Sequence, residues 1–413
     1  MKFNLDNFKA PDLEVWRSKI KAETKASGDI TYTNKVEGIQ FDPSEKKLEY
    51  DFGTEQVQET NDWGITAYIP VTDEKTANTL ALKCLGQGAN ILYFNISSSI
   101  TDWRVIFKDI HLDYIHVIVS FKEEGELKSF IDFIPNNAKK YISISIDPFC
   151  PFDSELIIES GFKVMVNGFE LEQIGANVTD QLSTILYYAE SLIHKLDPKN
   201  ISFEIGIGSD FFIELAKIRV LKWLWRHILL KNEKSIPKTT ILGRMGWTNK
   251  SLKDPDINIL RQTTESISSI SGGVSSILIH SSHTYSLEPN NWFYKRLALN
   301  ISHILKEESY LTKVNDPMRG AYITEKITFV LIQNCWSQFL NFMEIKAQQS
   351  IIDLLKESIK KTRDIKLKAF ENEEHELLGI NLFANKSEQN NSWSNVPKYL
   401  EFDYLIFERE KYE

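Results

Sequence analysis

Cysteine is scarce in this chain: three residues in 413, Cys84, Cys150 and Cys335, all far apart. An odd, scattered set of thiols argues against a disulfide framework and fits a reducing compartment. No C-x-x-C pair is present to suggest zinc. Long apolar runs are missing too. No stretch approaches the roughly 20 residues of a membrane helix. The N-terminus MKFNLDNFKAPDLEVW has no apolar run behind its lysine, so no secretory leader is expected. A basic excess is also lacking. The net charge is −9, and lysine and arginine form no stripe, which argues against nucleic acid, whose phosphates require a clustered positive surface. The expectation is a cytoplasmic protein without membrane or nucleic-acid partners.

Hydrophobic residues, by contrast, make up 42% of the chain, enough for a sizeable core. Residues 1–60 are polar and charged, with one amphipathic piece in which Leu13, Trp16 and Ile20 recur at helical spacing. They read as an arm. From Trp63 short β-rich runs alternate with helical stretches: WGITAYIP, ANILYFNI, YIHVIVSF, YISISID, FKVMVNGF, ISFEIGIG, TTILGRMGW and VSSILIHSS. Strands that alternate with helices imply a parallel sheet, because parallel neighbours need crossovers. Eight such units within residues 61–290 predict an α/β fold, a (β/α)8 TIM barrel, with a doubly wound open sheet as the rival. Residues 291–413 read as a helical extension and a polar, then aromatic, tail.

In such a barrel chemistry sits at the C-terminal ends of the strands. Gly206 and Gly208 stand between a strand and a helix, but the third glycine of a dinucleotide loop is missing, which leaves a tight turn. His280 and His283 lie three apart on a strand end, where they point to opposite faces, and no carboxylate or cysteine nearby completes a metal site. Asp109 and His111 have the start of a D-x-H-x-x-G cobalamin signature, but Tyr114 occupies the glycine position. Asp254–Pro255 and Asp316–Pro317 read as turn or helix-start signals. No Ser–His–Asp or Cys–His arrangement stands out.

Six stretches, in order, resemble the methylmalonyl-CoA mutase family. They are the arm from Trp16 to Gly28 with Glu37–Ile39, GFELEQIGA at Gly168–Ala176, and SFEIGIGSDFFIELAKIRVLKWLW at Ser202–Trp225. The others are Gly246–Gly273, EESYLTKVNDPMRGAYITEKIT at Glu307–Thr328, and Lys360–Asn385. The resemblance implies a barrel in which, in catalytic members, acyl-CoA threads along the axis. This chain departs from the pattern at strand ends. Catalytic members resemble G-Y-H-M-Q-E-A-G-A after the fifth strand, where this chain has Phe169, Glu170 and Glu172 for Tyr, His and Gln. They resemble R-x-H-x-Q-T-S-G-W after the seventh strand, where Ile241 takes the His position and Gly243 the Gln position. An alkyl side chain cannot polarise a thioester carbonyl by hydrogen bonding. At the eighth strand L-H-T-N becomes Ile277, Leu278, Ile279 and His280, and Asn200 stands where catalytic members tend to carry Arg.

What the resemblance implies is a small, non-catalytic mutase subunit. No catalytic, cofactor or metal residue is expected, and Phe169, Glu170, Glu172, Ile241, Gly243 and Leu278 are replaced family positions. The chain ends about 30 residues past the barrel-domain run, so no flavodoxin-like cobalamin domain is expected, and adenosylcobalamin is expected in the partner. The expected partner is a catalytic large subunit in a heterodimer, and acyl-CoA is a possible ligand. A stand-alone acyl-CoA-binding pseudo-enzyme or sensor is the alternative. Ile241, Leu278 and Ile279 are expected to fill the channel. Trp16 and Ile20 of the arm, and Trp393, Tyr399, Phe402, Tyr404, Phe407 and Tyr412 of the tail, are expected to meet the partner, with folding back of arm and tail on their own barrel as the alternative.

Overall fold

The computed structural model describes residues 12–24, 31–42, 61–100, 102–149, 154–285, 291–383 and 396–409. Cys150, Trp393 and Tyr412 lie outside the described residues. Eight parallel strands close a barrel: β1 Gly64–Val71, β2 Ile91–Ile96, β3 His116–Phe121, β4 Ile142–Ile146, β5 Lys163–Asn167, β6 Ile201–Ile207, β7 Ile241–Met245 and β8 Ser276–Leu278. Each strand pairs with its sequence neighbour, and β8 returns to β1 through Ser276↔Gly64, Ile277↔Ile65 and Leu278↔Thr66. All eight runs anticipated as strands are strands, and the open-sheet rival is excluded.

A helix follows every strand: α1 Glu74–Gly86, α2 Trp103–Ile106, α3 Glu124–Phe133, α4 Ser154–Ser160, α5 Val178–Leu192, α6 Phe211–Lys231, α7 Asn258–Gly272 and α8 Trp292–His303. Several of their starts are set by short polar side chains that accept the first orphan amides. Asp73 accepts from Thr76 N–H, Asn177 from Asp180 N–H and Asp210 from Ile213 N–H, at 2.8, 2.8 and 3.1 Å. α7 stops at Gly273, whose φ of +83° suits the left-handed cap that aims the chain into β8.

The period-2 pattern of each strand sorts its residues between two cores. In β4 the isoleucines Ile142, Ile144 and Ile146 join the outer core under the helices, while Ser143 and Ser145 turn inward. The lumen is filled by a separate cluster of Tyr93, Ile118, Met165, Leu242 and Leu278.

Two long helices, α9 Tyr322–Ile345 and α10 Gln348–Glu371, complete the body. α9 packs across α5 and α6. α10 contributes Ile351, Leu355 and Ile359 to an apolar cluster with Phe342 and with Phe169, Leu171 and Trp247 from the strand-end loops. The arm forms a helix, Leu13–Thr24, and a hairpin, Tyr32–Asn34 with Ile39–Phe41, whose Ile39 and Phe41 enter the outer core. No helix among the described residues is long and apolar enough to cross a membrane.

The tail corrects one expectation. Tyr399, Phe402, Tyr404 and Phe407 pack over the C-terminal mouth of their own barrel, in the cluster that holds Phe169 and Trp247. Tyr399 donates to Asp147 at 2.7 Å, Tyr404 donates to Glu170, and Arg409 donates to the carbonyls of Thr248 and Lys250. The reason is local. The strand-end loops offer both an apolar floor and buried acceptors, so the tail satisfies its aromatic and polar groups without a second chain.

Candidate functional site

The C-terminal mouth of the barrel is where a barrel enzyme would do its chemistry. Strand alternation brings Glu204 of β6 and Arg244 of β7 into the lumen there, between the outward-facing Phe203, Ile205, Ile241 and Met245. Arg244 Nη1 donates to Glu204 Oε1 at 2.9 Å, and its Nε donates to His280 Nε2 at 2.9 Å. The other oxygen of Glu204 accepts from Tyr93 Oη at 3.0 Å and Ser145 Oγ at 2.9 Å. The guanidinium carbon lies 3.7 Å from the Phe169 ring centroid, with the rings of Tyr68 and Tyr93 at 5.1 and 5.3 Å. Asn95 extends the network, donating to Tyr68 Oη and accepting from Ser120 Oγ, both at 2.9 Å.

These contacts fix the protonation states. Arg244 keeps its proton because Glu204 and the neighbouring phenols outweigh the cost of burial. His280 is driven well below its ordinary range, by burial first and by Arg244 second, so the imidazole is neutral. Burial raises the phenols of Tyr68 and Tyr93. Glu170 is also raised by burial, with Arg244 and the Tyr404 hydroxyl pulling the other way. The site therefore holds a buried ion pair, a neutral imidazole and no titrating acid–base couple aimed at open space.

The lumen below is packed shut. Tyr93, Ile118, Met165, Leu242 and Leu278 are between 0% and 2% exposed. A channel wide enough for a pantetheine arm would leave such lining residues accessible. Leu278 stands in the lumen as expected of it, whereas Ile241 and Ile279 do not fill the channel: both belong to the outer core beneath the helices. Gly243 also faces outward, where an added Cβ would meet Val274 Cγ1 at 3.2 Å. Leu242 and Arg244 occupy the inward positions instead, because side chains alternate along the strand.

The other anticipated positions separate. Phe169 caps Arg244 and Glu170 receives the tail, but Glu172 lies off the axis, accepting from Thr248 Oγ1 and, at 2.5 Å, from Gln173 Nε2. Gly206 and Gly246 make room for it. A Cβ at Gly246 would lie 2.2 Å from Glu172 Oε2, and one at Gly206 2.5 Å from Glu172 Cβ. The G-x-G pair thus serves close packing. Asn200 ends the turn before β6, at the opposite end of the barrel from the mouth, and His111 lies in the turn before β3 at that same far end. His283 stacks on Tyr294 at 3.5 Å and does not converge with His280. Among the described residues no group of three potential ligands could hold a metal.

Beside the mouth, between the arm hairpin and the end of α10, is a cavity of about 770 Å³. Glu37, Glu172, Asp210, Glu214 and Glu374 line it against Lys35, Lys366 and Arg409. Burial pushes Glu37 up to about 7, with Lys366 opposing.

Sequence reasoning missed Glu204 and Arg244. The signal was present: each is a charged residue in an otherwise apolar strand, at the inward parity.

Comparison with known proteins sets this geometry in a family. The sequence profile described as methylmalonyl-CoA mutase matches residues 162–403. The chain is 29% identical over 328 residues to the methylmalonyl-CoA mutase small subunit of Porphyromonas gingivalis (strain ATCC BAA-308 / W83), a match covering 68% of this chain and 52% of that protein. It is 24% identical over 413 residues to a methylmalonyl-CoA mutase of Cereibacter sphaeroides, covering 79% of this chain and 57% of that one. A 185-residue stretch is 31% identical to a probable mitochondrial methylmalonyl-CoA mutase of Caenorhabditis elegans, covering 40% of this chain and 24% of that protein. The chain spans about half the length of the first two relatives.

Proposed function

Because this chain belongs to the methylmalonyl-CoA mutase family, we propose that it is a non-catalytic small subunit supporting a catalytic large subunit in the interconversion of methylmalonyl-CoA and succinyl-CoA. The name of the Porphyromonas gingivalis relative supports the assignment as a small subunit. The observation that carries the non-catalytic reading is the buried Arg244–Glu204 pair. It lies across the lumen near the C-terminal mouth, capped by Phe169 on one side and adjoining the packed cluster of Leu242 and Leu278 on the other. A substrate would have to displace a satisfied ion pair to enter, leaving at least one buried charge unpaired at a cost of several kcal/mol.

Adenosylcobalamin belongs to the partner in this reading. The mouth residues do not fit a corrin: the His280 imidazole has its Nε2 engaged by Arg244, His283 is stacked on Tyr294, and the tail's Tyr404 and Phe407 cover the loops around them. The sensor alternative gains no support from the side cavity. Its five lining carboxylates outnumber its three lining cations, a poor match for the phosphates of CoA.

The test is direct. The purified chain, mixed with adenosylcobalamin and methylmalonyl-CoA, is expected to form no succinyl-CoA, and to co-elute with a full-length mutase subunit when the two are co-expressed. Turnover by the chain alone would overturn the proposal. So would separate elution of two folded proteins at micromolar concentration.

A further inference from the structure

Behind His280, between β1, β8 and α8, lies a void of about 20 Å³, lined among others by His280, Lys295, Ser281, Thr284, Tyr68 and Cys84. The tautomer of His280 follows from its neighbour. A guanidinium N–H can only donate, so Nε2 accepts from Arg244 and the ring proton sits on Nδ1. That Nδ1 is buried and has no partner among the described residues. Lys295 is the second donor. Its ammonium donates to the Tyr68 carbonyl at 3.2 Å, which leaves N–H groups over, and no carboxylate among the described residues pairs with it. The Ser281 hydroxyl accepts from His283 N–H at 3.3 Å and keeps its own proton to give, whereas Thr284 gives its proton to the Ser281 carbonyl at 2.7 Å.

Among the described residues nothing in the wall offsets the lysine. Burial pushes the Cys84 thiol up to about 11, so it stays a neutral thiol beside the ammonium. Burial raises the Tyr68 phenol and keeps His280 uncharged. Burial also disfavours the charged form of Lys295, as expected of an ammonium with no counter-charge. Among the described residues the void is therefore ringed by three spare donors, one of them a cation in need of compensation, and by no negative charge.

We propose that this void binds one small monovalent anion of the halide class, held by Lys295, His280 and Ser281. Its size suits a single atom-sized occupant. A water molecule would accept from the donors but leave the ammonium uncompensated, and a buried unpaired charge is costly. A halide accepts from all three donors and cancels the charge. By keeping the Nδ1 proton engaged, the anion also holds His280 in the tautomer that accepts from Arg244, so its occupancy supports the closed mouth. The inference rests on this geometry and not on the chain's role as a subunit.

Crystals of the full chain grown with sodium bromide, and thermal unfolding in sodium bromide against sodium gluconate at matched ionic strength, test it. The expected results are an anomalous bromide peak between Lys295 and His280 and a Tm that rises with bromide and saturates in the millimolar range. Lys295→Met is expected to lose both. Should that variant misfold, Ser281→Ala must weaken the bromide dependence several-fold while keeping the fold. A void holding only water in bromide crystals would overturn the proposal. Equal Tm in the two salts would do the same, and so would a response confined to molar bromide, the mark of an adventitious ion only.

Discussion

The guanidinium of Arg244 lies 3.7 Å from the ring centroid of Phe169, so a charge from the seventh strand is sealed by an aromatic from the loop after the fifth. Below this lid the same guanidinium is paired with Glu204 at 2.9 Å. Charge, partner and cover come from three separate places in the sequence, and together they turn the mouth of a barrel into part of its core.

Removing the cation from this arrangement is expected to be severe. Arg244→Met leaves Glu204 buried without its partner and should lower the unfolding free energy by about 3–5 kcal/mol. Adding Glu204→Gln to the same chain should recover much of that loss. Urea unfolding of the two variants and wild type measures both terms, and a double variant no more stable than Arg244→Met would show that the pair is not the unit described.

The tail should detach when its aromatic anchor is cut. Phe407 is buried and meets the Tyr285 ring at 5.3 Å. Phe407→Ala should cost about 3–5 kcal/mol if the tail stays docked, or expose residues 396–409 to rapid hydrogen exchange if it does not. Tyr404→Phe removes only the hydrogen bond to Glu170 and should cost about 1.5–3 kcal/mol, the range for a bond to a charged group. Hydrogen exchange resolved by peptide distinguishes the two modes.

Gly246 and Glu172 should prove coupled. A methyl at Gly246 would lie 2.2 Å from Glu172 Oε2, so Gly246→Ala should destabilise by about 1–3 kcal/mol through overpacking. Shortening Glu172 to Ala in the same chain opens that space. The double variant should therefore be more stable than the sum of the single losses, a positive coupling read from a double-mutant cycle. Strict additivity would mean that the two residues do not compete for the same volume.

Glu37 gives the fold a pH dependence of defined sign. Its carboxylate accepts from Val178 N–H at 3.0 and 3.1 Å, and burial pushes it up to about 7. An unfolded glutamate titrates near about 4.3, so between these values the native state binds the extra proton. Stability from this group is complete below the unfolded value and declines as pH rises towards 7. Glu37→Gln stays neutral throughout. Its stability relative to wild type should increase from about pH 4.5 to about pH 7 and then level off. A flat difference across that range would contradict the burial of this carboxylate.

Much of the architecture was legible because the barrel strands are short, β-branched and separated by amphipathic helices, a pattern that demands a parallel sheet, and because there are eight such units, the number that closes a barrel. The site was legible only in part. Motif alignment put Ile241 and Gly243 at reactive positions, but strand parity sends both outward and gives the lumen to Leu242 and Arg244. That parity can be read from ILGRM. That Arg244 reaches Glu204, His280 and Phe169 together cannot, since it depends on the stagger that closing the ring imposes. The tail was illegible for another reason. An aromatic-rich segment gains the same burial against its own barrel as against another chain, and composition does not distinguish the two.

The ring is closed by β8, which is only three residues long and joins β1 and β7 through three residue pairs on each side. That narrow seam has a consequence for how the molecule fails. Opening there needs the fewest ladder bonds to break, and it converts an edgeless sheet into one with two bare borders. One of these is β1, at eight residues the longest strand in the barrel, with Ile65, Ala67, Ile69 and Val71 along it. A long apolar border with unpaired amides is a template for another chain. The same three residues that complete the fold therefore also guard it against self-association.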